Sequence, residues 1–564
     1  MSDGSASLTI KDPIHGYIDL DELEAYTVDT PWFQRLKYVR QNDVSGSVYP
    51  TMHGTRFEHS LGAMHLAGRC LAMALENNRT SQGPIFLEKL KQELLSRSQT
   101  ATEYTWSEDG SRRLAVRIAR LYGALHDIGH PPYSHLLEKC LPFDRIDAEN
   151  ARKYDQKQHT KWHEINGHLI IQEHLFTGYN FDQKVGDRLC VDAVKLLADK
   201  NIHELGPGLA AIRTLVDSVI DADRMDFVLR DGRTSASDFG NYDVTRLTQS
   251  FRIVVDHRGQ PDISEIHIRP SSSALSAIES LLQERHKIYR WVHFHHRVML
   301  SKALMRFVIG QLATWEHEVR INPDYFRATR YAPALHERVP YLFLGDAYID
   351  GLLTEALRSL EAKPEAQRTL MEERVRCALR ILLLREKLAL SIWKRLDQYA
   401  EFDQKLFAKL RKLTTTPDEK RIREKHRFAA NWFADSVSIH GRGLIDNVQK
   451  ELNKSSDKNA DWYLLETTDG FSTSGHDRII SAPDNQAVAL SELSSIGETI
   501  EKAWKQDIHL YVFQISKKPW PTRTKGDLLN ARACGRETVA EQLVYAYERD
   551  RKLRKGLDQL IDQK

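Results

Sequence analysis

Paired cysteines are missing from this sequence. The five it has, Cys70, Cys140, Cys190, Cys377 and Cys534, stand far apart with no C-x-x-C spacing. That scatter argues against a zinc ribbon or a disulfide framework and suggests a reducing compartment. Long apolar runs are missing too: there is no stretch of about eighteen consecutive apolar residues, and the opening M-S-D-G-S-A-S lacks the basic and apolar regions of a leader. The expectation is a cytoplasmic protein without a membrane partner. Neither charge is in excess, with 80 Lys plus Arg against 78 Asp plus Glu and a formal net charge of +2. Nucleic acid as a partner would therefore need a local basic pocket rather than a global field. No internal repeat is found, and 564 residues leave room for two or three sub-domains.

What is present is concentrated in Ala124–His135, A-L-H-D-I-G-H-P-P-Y-S-H. His126 and Asp127 lie among Leu121, Leu125 and Ile128, at what reads as the last turn of a helix. Gly129 is expected to stop that helix by accepting a left-handed cap, and Pro131-Pro132 cannot continue it. Imidazole beside carboxylate suits a divalent cation such as Mg, Mn, Fe, Ni or Zn. An isolated His-Asp pair is usually a polar surface pair, so context decides. Two further runs supply it: R-F-E-H-S-L-G at Arg56–Gly62 and D-A-D-R-M-D-F at Asp221–Phe227. The break at 129–132 predicts that His126, Asp127, His130 and His135 converge, which a straight helix would prevent.

The fold class expected is mainly α: a helical core, a small β-hairpin insertion and an α+β C-terminal region. Residues 8–20 read as extended with a turn at Pro13–Gly16, and Asp29 or Thr30 caps a helix over W-F-Q-R-L-K-Y-V-R-Q. Phe33, Leu36, Tyr38 and Val39 form its apolar stripe. A helix from Glu58 to about Glu76 buries Leu61, Met64, Ala67, Cys70, Leu71 and Ala74. Val191–Leu229 reads as helical apart from Gly206–Gly208, and Phe251–Gln260 with Ile263–Pro270 as a hairpin. Helices then run to about Leu413. Trp462–Thr467 and His509–Ile515 read as strands, and Glu537–Leu553 as a helix. The division expected is an N-terminal segment 1–55, a core 56–310 with insertions near 77–113 and 141–161, a helical extension 311–420, and a C-terminal region 421–564, with the last boundary near 415–425.

The order H…HD…D over three helical segments resembles the HD metal-dependent phosphohydrolases. D-P-I-H-G at Asp12–Gly16, D-T-P-W-F-Q-R-L-K-Y at Asp29–Tyr38 and the runs at Arg56–Gly62, His126–His135 and Ile220–Asp231 narrow the resemblance to the dGTPase-like HD-domain deoxynucleoside triphosphate triphosphohydrolases. It covers the first 300 residues, and no SAM domain is expected before the HD core. The resemblance implies an HD-domain core and hydrolysis of a dNTP substrate to deoxynucleoside and inorganic triphosphate. His59, His126, Asp127 and Asp223 take the metal positions, with the number of ions open. His135 takes the place of the general acid with Glu138 as its acidic partner. His130 and His163 fall on active-site histidines, with Glu164 orienting one of them. Arg56 and Arg224 match phosphate contacts, and Gln41, Asn42 and Asp231 the sugar-recognising region. Phe227 stands where an animal member has a phosphate-contacting tyrosine. Arg285, Tyr289, Arg290 and Phe294 are further candidate substrate contacts. His293, His295 and His296 look like a metal cluster, but neighbours two apart diverge by about 200° on a helix.

Asp29, Gln34 and Lys37 correspond to the family's guanine-reading regulatory positions, although Leu8 replaces a lysine used there. Activation by GTP or a dNTP, in a homo-oligomeric dimer or tetramer, is the matching expectation. Elementary chemistry agrees with a phosphohydrolase: cations and arginines stabilise charge on phosphate oxygens, and histidine titrates where a leaving alkoxide needs a proton. Two alternatives stand beside it. One is an HD-type nuclease or phosphodiesterase acting on nucleic acid or a cyclic nucleotide, with the extra histidines completing a second metal site. The other is a nucleotide-sensing binding protein with a vestigial centre.

Overall fold

The computed structural model describes residues 7–141, 162–199, 205–256, 265–315, 319–321, 344–410, 430–431, 434, 443–454, 461–468, 478–483, 485–519 and 525–549. The chain is mainly helical with small antiparallel sheets, the fold class the periodicity indicates. It divides into two units. The first is Met1–Ile288 with Asn322–Ile349 and Thr473–Glu498, and the second is Tyr289–Ile321, Asp350–Ser472 and Thr499–Lys564. The expected boundary at 415–425 lies outside the described residues, as do the hairpin turn at 257–264 and most of the 141–161 insertion.

The first unit is built around two helices, Arg56–Asn77 and Glu108–Leu125, which pack along each other. Burial of Leu61, Met64, Ala67, Cys70, Leu71 and Ala74 on one side, and of Leu114, Ile118, Leu121 and Leu125 on the other, follows their spacing. The helix Ala222–Thr234 lies across the first of these, with Asp221 as its N-cap. Strands Leu8–Asp12 and Gly16–Leu20 form the N-terminal hairpin, pairing Ile10 with Ile18. Phe251–Asp256 and Glu265–Pro270 form the second hairpin, pairing Ile253 with Ile268.

Several local expectations are corrected. The helix after Thr30 is one turn, Pro31–Gln34, followed by a tighter turn at Arg35–Tyr38. It stops because Val39 is extended and Arg40 bridges to Thr55. Tyr38 leaves the apolar stripe and is 59% exposed. Within the insertion expected near 77–113, Gln82–Gly83–Pro84 opens a helix, Gln82–Arg97, since proline fits a first helical turn. The same insertion ends in helix rather than loop, because Ser107 caps the helix Glu108–Leu125 by accepting from Gly110 N at 3.1 Å. Val191–Leu229 is three helical pieces, Val185–Ala198, Pro207–Arg213 and the start of Ala222–Thr234; the turn between the last two lets Asp221 cap the third.

The second unit places the strands in the order Ala389–Ser391, Leu510–Ile515, Trp462–Thr467, all antiparallel. The last two are the strands expected. The first is a correction, since helices were expected to reach about Leu413. Arg385, at φ 55°, ends the helix Leu370–Leu384 in a left-handed cap and turns the chain into that strand. Trp393, Tyr399, Phe402 and Leu406 form the core against Val512 and Leu543. The terminal helix spans Lys525–Arg549, starting earlier than Glu537.

Burial also sets a pH dependence. His65 lies on the packed helix Arg56–Asn77, and burial, reinforced by His15, Arg120 and Arg69, pushes its pKa down to about 4. The unfolded chain therefore takes up this proton first. Stability is expected to be full above about pH 6.5 and to fall as the pH drops from there towards 4. Urea midpoints at pH 7 and pH 5 check this. The loss between them should be smaller in His65→Gln, and an equal loss would remove His65 from the account.

Candidate metal centre

Three helices and one broken turn supply the site. His59 lies in the first turn of Arg56–Asn77, where Thr55 N donates to Glu58 Oε2 at 3.1 Å. His126 caps the end of Glu108–Leu125, and its Nδ1 sits 2.8 Å from Gly123 O. That contact fixes Nδ1 as the protonated nitrogen and turns Nε2 inward. Asp223 is in the first turn of Ala222–Thr234. His59 Nε2 lies 3.0 Å from Asp223 Oδ1 and 3.6 Å from Asp127 Oδ2, while His126 Nε2 lies 3.5 Å from Asp127 Oδ2 and 3.9 Å from Asp223 Oδ1.

Ligand atoms of His59, His126 and Asp127 lie within 4.8 Å of one another. Although His59 Nε2 is within ion-pair range of Asp223, both inward Nε2 atoms are buried and lack an aligned hydrogen bond. Buried imidazole nitrogens normally find one, so two orphans facing two carboxylates fit a divalent cation. Electrostatics point the same way. Burial opposes charge on His59, but Asp223 and Asp226 outweigh it and hold its pKa up to about 10. Asp127 is held well below the carboxylate range against its burial, by Arg56 and then His126. The pocket thus demands positive charge between its carboxylates.

Beyond the helix the chain turns sharply. Tyr133 and Ser134 adopt φ of 54° and 49°, so the left-handed residues are these and not Gly129 as expected. Gly129 serves close approach instead: a Cβ there would meet His163 O at 2.1 Å and Gly167 N at 2.3 Å. Arg35, fully buried, clamps the turn by donating to Ile128 O and His130 O, each at 2.7 Å.

The turn delivers a second cluster. Ligand atoms of His130, His135, Glu138 and His163 also lie within 4.8 Å of one another. Glu138 binds His135 Nδ1 at 2.9 Å through one oxygen and His163 Nδ1 at 2.8 Å through the other. The His130 and His163 rings stack at 3.9 Å. Asp127 joins the clusters, with Oδ1 3.2 Å from His130 Nε2 in ion-pair range but without hydrogen-bond alignment. Burial, then Arg56 and His163, keep the His130 pKa well below its usual range. The convergence expected around the broken helix is therefore present, organised as two groups that meet where Asp127 of the first approaches His130 of the second.

Other candidates are placed as follows. Arg56 donates to Ser134 Oγ at 2.7 Å and to Asp127 Oδ2, so it positions that carboxylate. Arg224 bonds to Asp221 and Ser218 O at its own helix start. Phe227 is buried. Gln41, Asn42 and Asp231 line one cavity of about 680 Å³ together with Lys37, and Asn42 Nδ2 donates to Asp231 Oδ1 at 2.6 Å. Of the three regulatory candidates, Lys37 reaches that cavity, Gln34 donates to Val28 O at 2.8 Å, and Asp29 is exposed. Glu164 follows His163 on the helix Trp162–Leu169. Arg285 is buried in the first unit, whereas Tyr289, Arg290 and Phe294 belong to the second, where Arg290 and Phe294 line another cavity. Among the described residues, His293, His295 and His296 do not form a metal group.

Sequence reasoning missed the support behind His59. Its Nδ1 lies 2.8 Å from Asp226 Oδ2, whose other oxygen is 2.6 Å from His15 Nε2. Arg230 Nε donates to Asp226 at 2.7 Å and its Nη2 pairs with Asp12 at 2.9 Å. A carboxylate on the outer nitrogen of a ligating histidine fixes its tautomer and orientation. The signal was available: Asp226 is three residues after Asp223 and so on the same helical face, and His15 belongs to D-P-I-H-G. Gly62 makes room for it, because a Cβ there would lie 1.8 Å from Asp226 Oδ1 and 2.6 Å from Arg230 Nη2. Gly62→Ala is expected to cost about 1–3 kcal/mol by overpacking and to weaken metal uptake. Urea unfolding and metal analysis of the purified variant check both, and a wild-type result in each would contradict the packing account.

This geometry defines a buried, helical, HD-type centre with two His/Asp/Glu clusters able to coordinate a divalent ion. Comparison with known proteins gives the more particular relationship. No family model matches the chain. It is 28% identical to the uncharacterized protein MJ1154 of Methanocaldococcus jannaschii over 297 residues, 53% of this chain and 48% of that protein. It is 26% identical to the uncharacterized protein YwfO of Bacillus subtilis over 311 residues, 54% of this chain and 56% of that one. It is 35% identical to the human deoxynucleoside triphosphate triphosphohydrolase SAMHD1 over 167 residues, 29% of this chain and 20% of that one. The matches thus span about half the length of the first two relatives and a fifth of the third. The chain is a distant relative of SAMHD1, carrying an HD-like metal-binding site. Among the described residues no helix is long and apolar enough to cross a membrane.

Proposed function

We propose that the protein hydrolyses deoxynucleoside triphosphates to deoxynucleoside and inorganic triphosphate. One observation carries the reading most: the buried Nε2 atoms of His59 and His126, neither in an aligned hydrogen bond, face Asp127 and Asp223, in a chain 35% identical over 167 residues to a deoxynucleoside triphosphate triphosphohydrolase. These four residues would hold the ion, which when bound supplies charge stabilisation at the phosphate and a lowered pKa for the attacking water. The chain's own residues do the rest. Arg56 holds Asp127 in place. Asn42 and Asp231 offer a hydrogen-bonding pair to a sugar hydroxyl in the cavity they line. His135 has Nδ1 engaged by Glu138 and 43% of its side chain open; in its imidazolium form, which the Glu138 carboxylate favours, it would carry on Nε2 the proton that the leaving 5′-oxygen takes.

Incubating the full chain with each dNTP and NTP in Mg or Mn tests this. Release of tripolyphosphate with deoxynucleoside, lost in Asp223→Ala, is expected; no turnover by a metal-loaded protein would overturn it. The nearness of the two clusters, with Asp127 of the first 3.2 Å from His130 of the second, favours a second reading, a two-ion phosphodiesterase or nuclease using both. Cleavage of single-stranded DNA or a cyclic nucleotide, abolished by His126→Ala and surviving repurification, would select that reading. GTP activation and oligomerisation are further proposals, tested by mass measurement with and without GTP.

A further inference from the structure

We propose that Asp346, which lies beyond the part of the chain carrying the family resemblance, is a positioning residue: it locks the turn that aims His135 at the leaving group. What the aim achieves rests on the hydrolytic reading; the lock itself does not. Leu344–Ile349 belong to the first unit, as do all the groups that Asp346 is argued to hold.

His135 follows directly on two left-handed residues. Tyr133 and Ser134 have φ of 54° and 49°, and Ser134 is the N-cap of the short helix His135–Cys140. Residues with a Cβ adopt that conformation only where their surroundings hold it. A rotation at either φ would swing the imidazole of His135 without disturbing the packed helices behind it.

Asp346 supplies the hold from 213 residues further along the chain, and it is 3% exposed. Its Oδ1 accepts from Tyr133 N at 2.7 Å, and its Oδ2 accepts from Arg40 N at 3.1 Å with Arg40 Nε 3.5 Å away. Ser134 Oγ donates to Arg40 O at 2.8 Å, so one carboxylate closes a ring of contacts between Arg40 and the turn. The Arg40 side of that ring is anchored separately: Arg40 bridges to Thr55, and Gln41 N donates to Gly54 O at 3.0 Å. The turn is therefore the side that gives when the carboxylate is altered. Gly345 permits the approach, because a Cβ there would meet Tyr38 Cβ at 2.4 Å and Tyr38 O at 2.6 Å. Asp346 also opens the helix Asp346–Ala362, yet both its oxygens turn to other segments, and a buried N–H that loses such an acceptor is costly to leave unmade.

Asp346→Asn tests this in the full chain. It keeps the volume but, whichever way the amide turns, sets an N–H donor against Tyr133 N or Arg40 N. Hydrogen exchange read by mass spectrometry probes the lock without turnover. The peptide over Pro132–His135 should exchange slowly in wild type and at least about tenfold faster in the variant, with the helix Arg56–Asn77 unchanged. Turnover probes the aim, using dGTP and its analogue with sulfur in place of the bridging 5′-oxygen. Attack of water at the α-phosphorus then breaks a P–S bond, and the thiolate departs without needing a proton. The variant should keep its bound metal and its KM, lose at least about tenfold in kcat on dGTP, and stay within roughly threefold of wild type on the thio analogue. A merely structural role would slow both substrates alike. The proposal is overturned if exchange at Pro132–His135 is already fast in wild type or is unchanged in the variant, if both substrates slow equally, or if the metal is lost with the activity. A metal-loaded wild type inert on both substrates sinks the hydrolytic reading, and the exchange result then decides the lock by itself.

Discussion

Asp127→Ala is expected to lower kcat by about three orders of magnitude, since several kcal/mol of ion-derived stabilisation disappear at about 1.4 kcal/mol per decade. Asp127 belongs to the first cluster and also reaches His130 of the second. Its Oδ2 faces His59 and His126, its Oδ1 faces His130, and Arg56 is bonded to it. Truncation also strands the buried Arg56 guanidinium, for which about 3–5 kcal/mol of stability is the expected cost. Asp127→Asn separates the two effects, because the amide keeps volume and a hydrogen-bond acceptor for Arg56 but surrenders the charge. It should remain folded in thermal melts, lose bound metal by elemental analysis, and be as inactive as the alanine variant. Full metal content with near wild-type turnover in Asp127→Asn would show that the carboxylate does not hold the ion.

The second large effect is expected at Asp226, which touches no substrate and sits at 0% exposure. Three partners, His59, His15 and Arg230, converge on its two oxygens. Burial opposes its charge, yet Arg230 first, and then the two histidines, hold its pKa far below the carboxylate range. Asp226→Ala leaves Arg230 with Asp12 alone and frees the His59 ring, and should cost about 3–5 kcal/mol. Where the fold survives, metal affinity should fall about 10–100-fold, the usual cost of losing a carboxylate behind a ligating histidine. His15→Gln probes the same line more gently. It removes one contact to Asp226, keeps the Arg230 pair, and should weaken metal binding while leaving the melting midpoint nearly unchanged. Unaltered affinity in both variants would reduce Asp226 to a packing residue.

How far the sequence foresees this architecture depends on whether a feature is local. The His59 helix and the strands at 251–256, 265–270 and 462–467 follow from periodicity, which one face of burial imposes directly. The strand at Ala389–Ser391 does not, because three residues carry no period and become a strand only by pairing with Phe513–Ile515, more than a hundred residues later. The turn after Asp127 was legible as a break but not in its mechanism. Glycine and prolines announce that a helix ends, whereas the left-handed residues Tyr133 and Ser134 are held by partners from elsewhere in the chain, Asp346 on Tyr133 N and Arg40 and Arg56 on Ser134 Oγ. Within the centre, residues in contiguous motifs, such as His126, Asp127, His130 and His135, could be named from their run. Asp226, His15 and Arg35 could not be ranked, since their importance lies in partners that only the tertiary fold assigns.

The hydrolytic reading makes one claim that a single product analysis addresses: water attacks the α-phosphorus and the bond to the 5′-oxygen breaks. Turnover of dGTP in ¹⁸O-labelled water, quenched with EDTA and followed by ³¹P NMR and mass spectrometry, reads this directly. The label is predicted in a terminal phosphoryl group of inorganic tripolyphosphate, beside unlabelled deoxyguanosine. Label in the deoxyguanosine hydroxyl, or products limited to a nucleoside monophosphate with pyrophosphate or a diphosphate with orthophosphate, would contradict it.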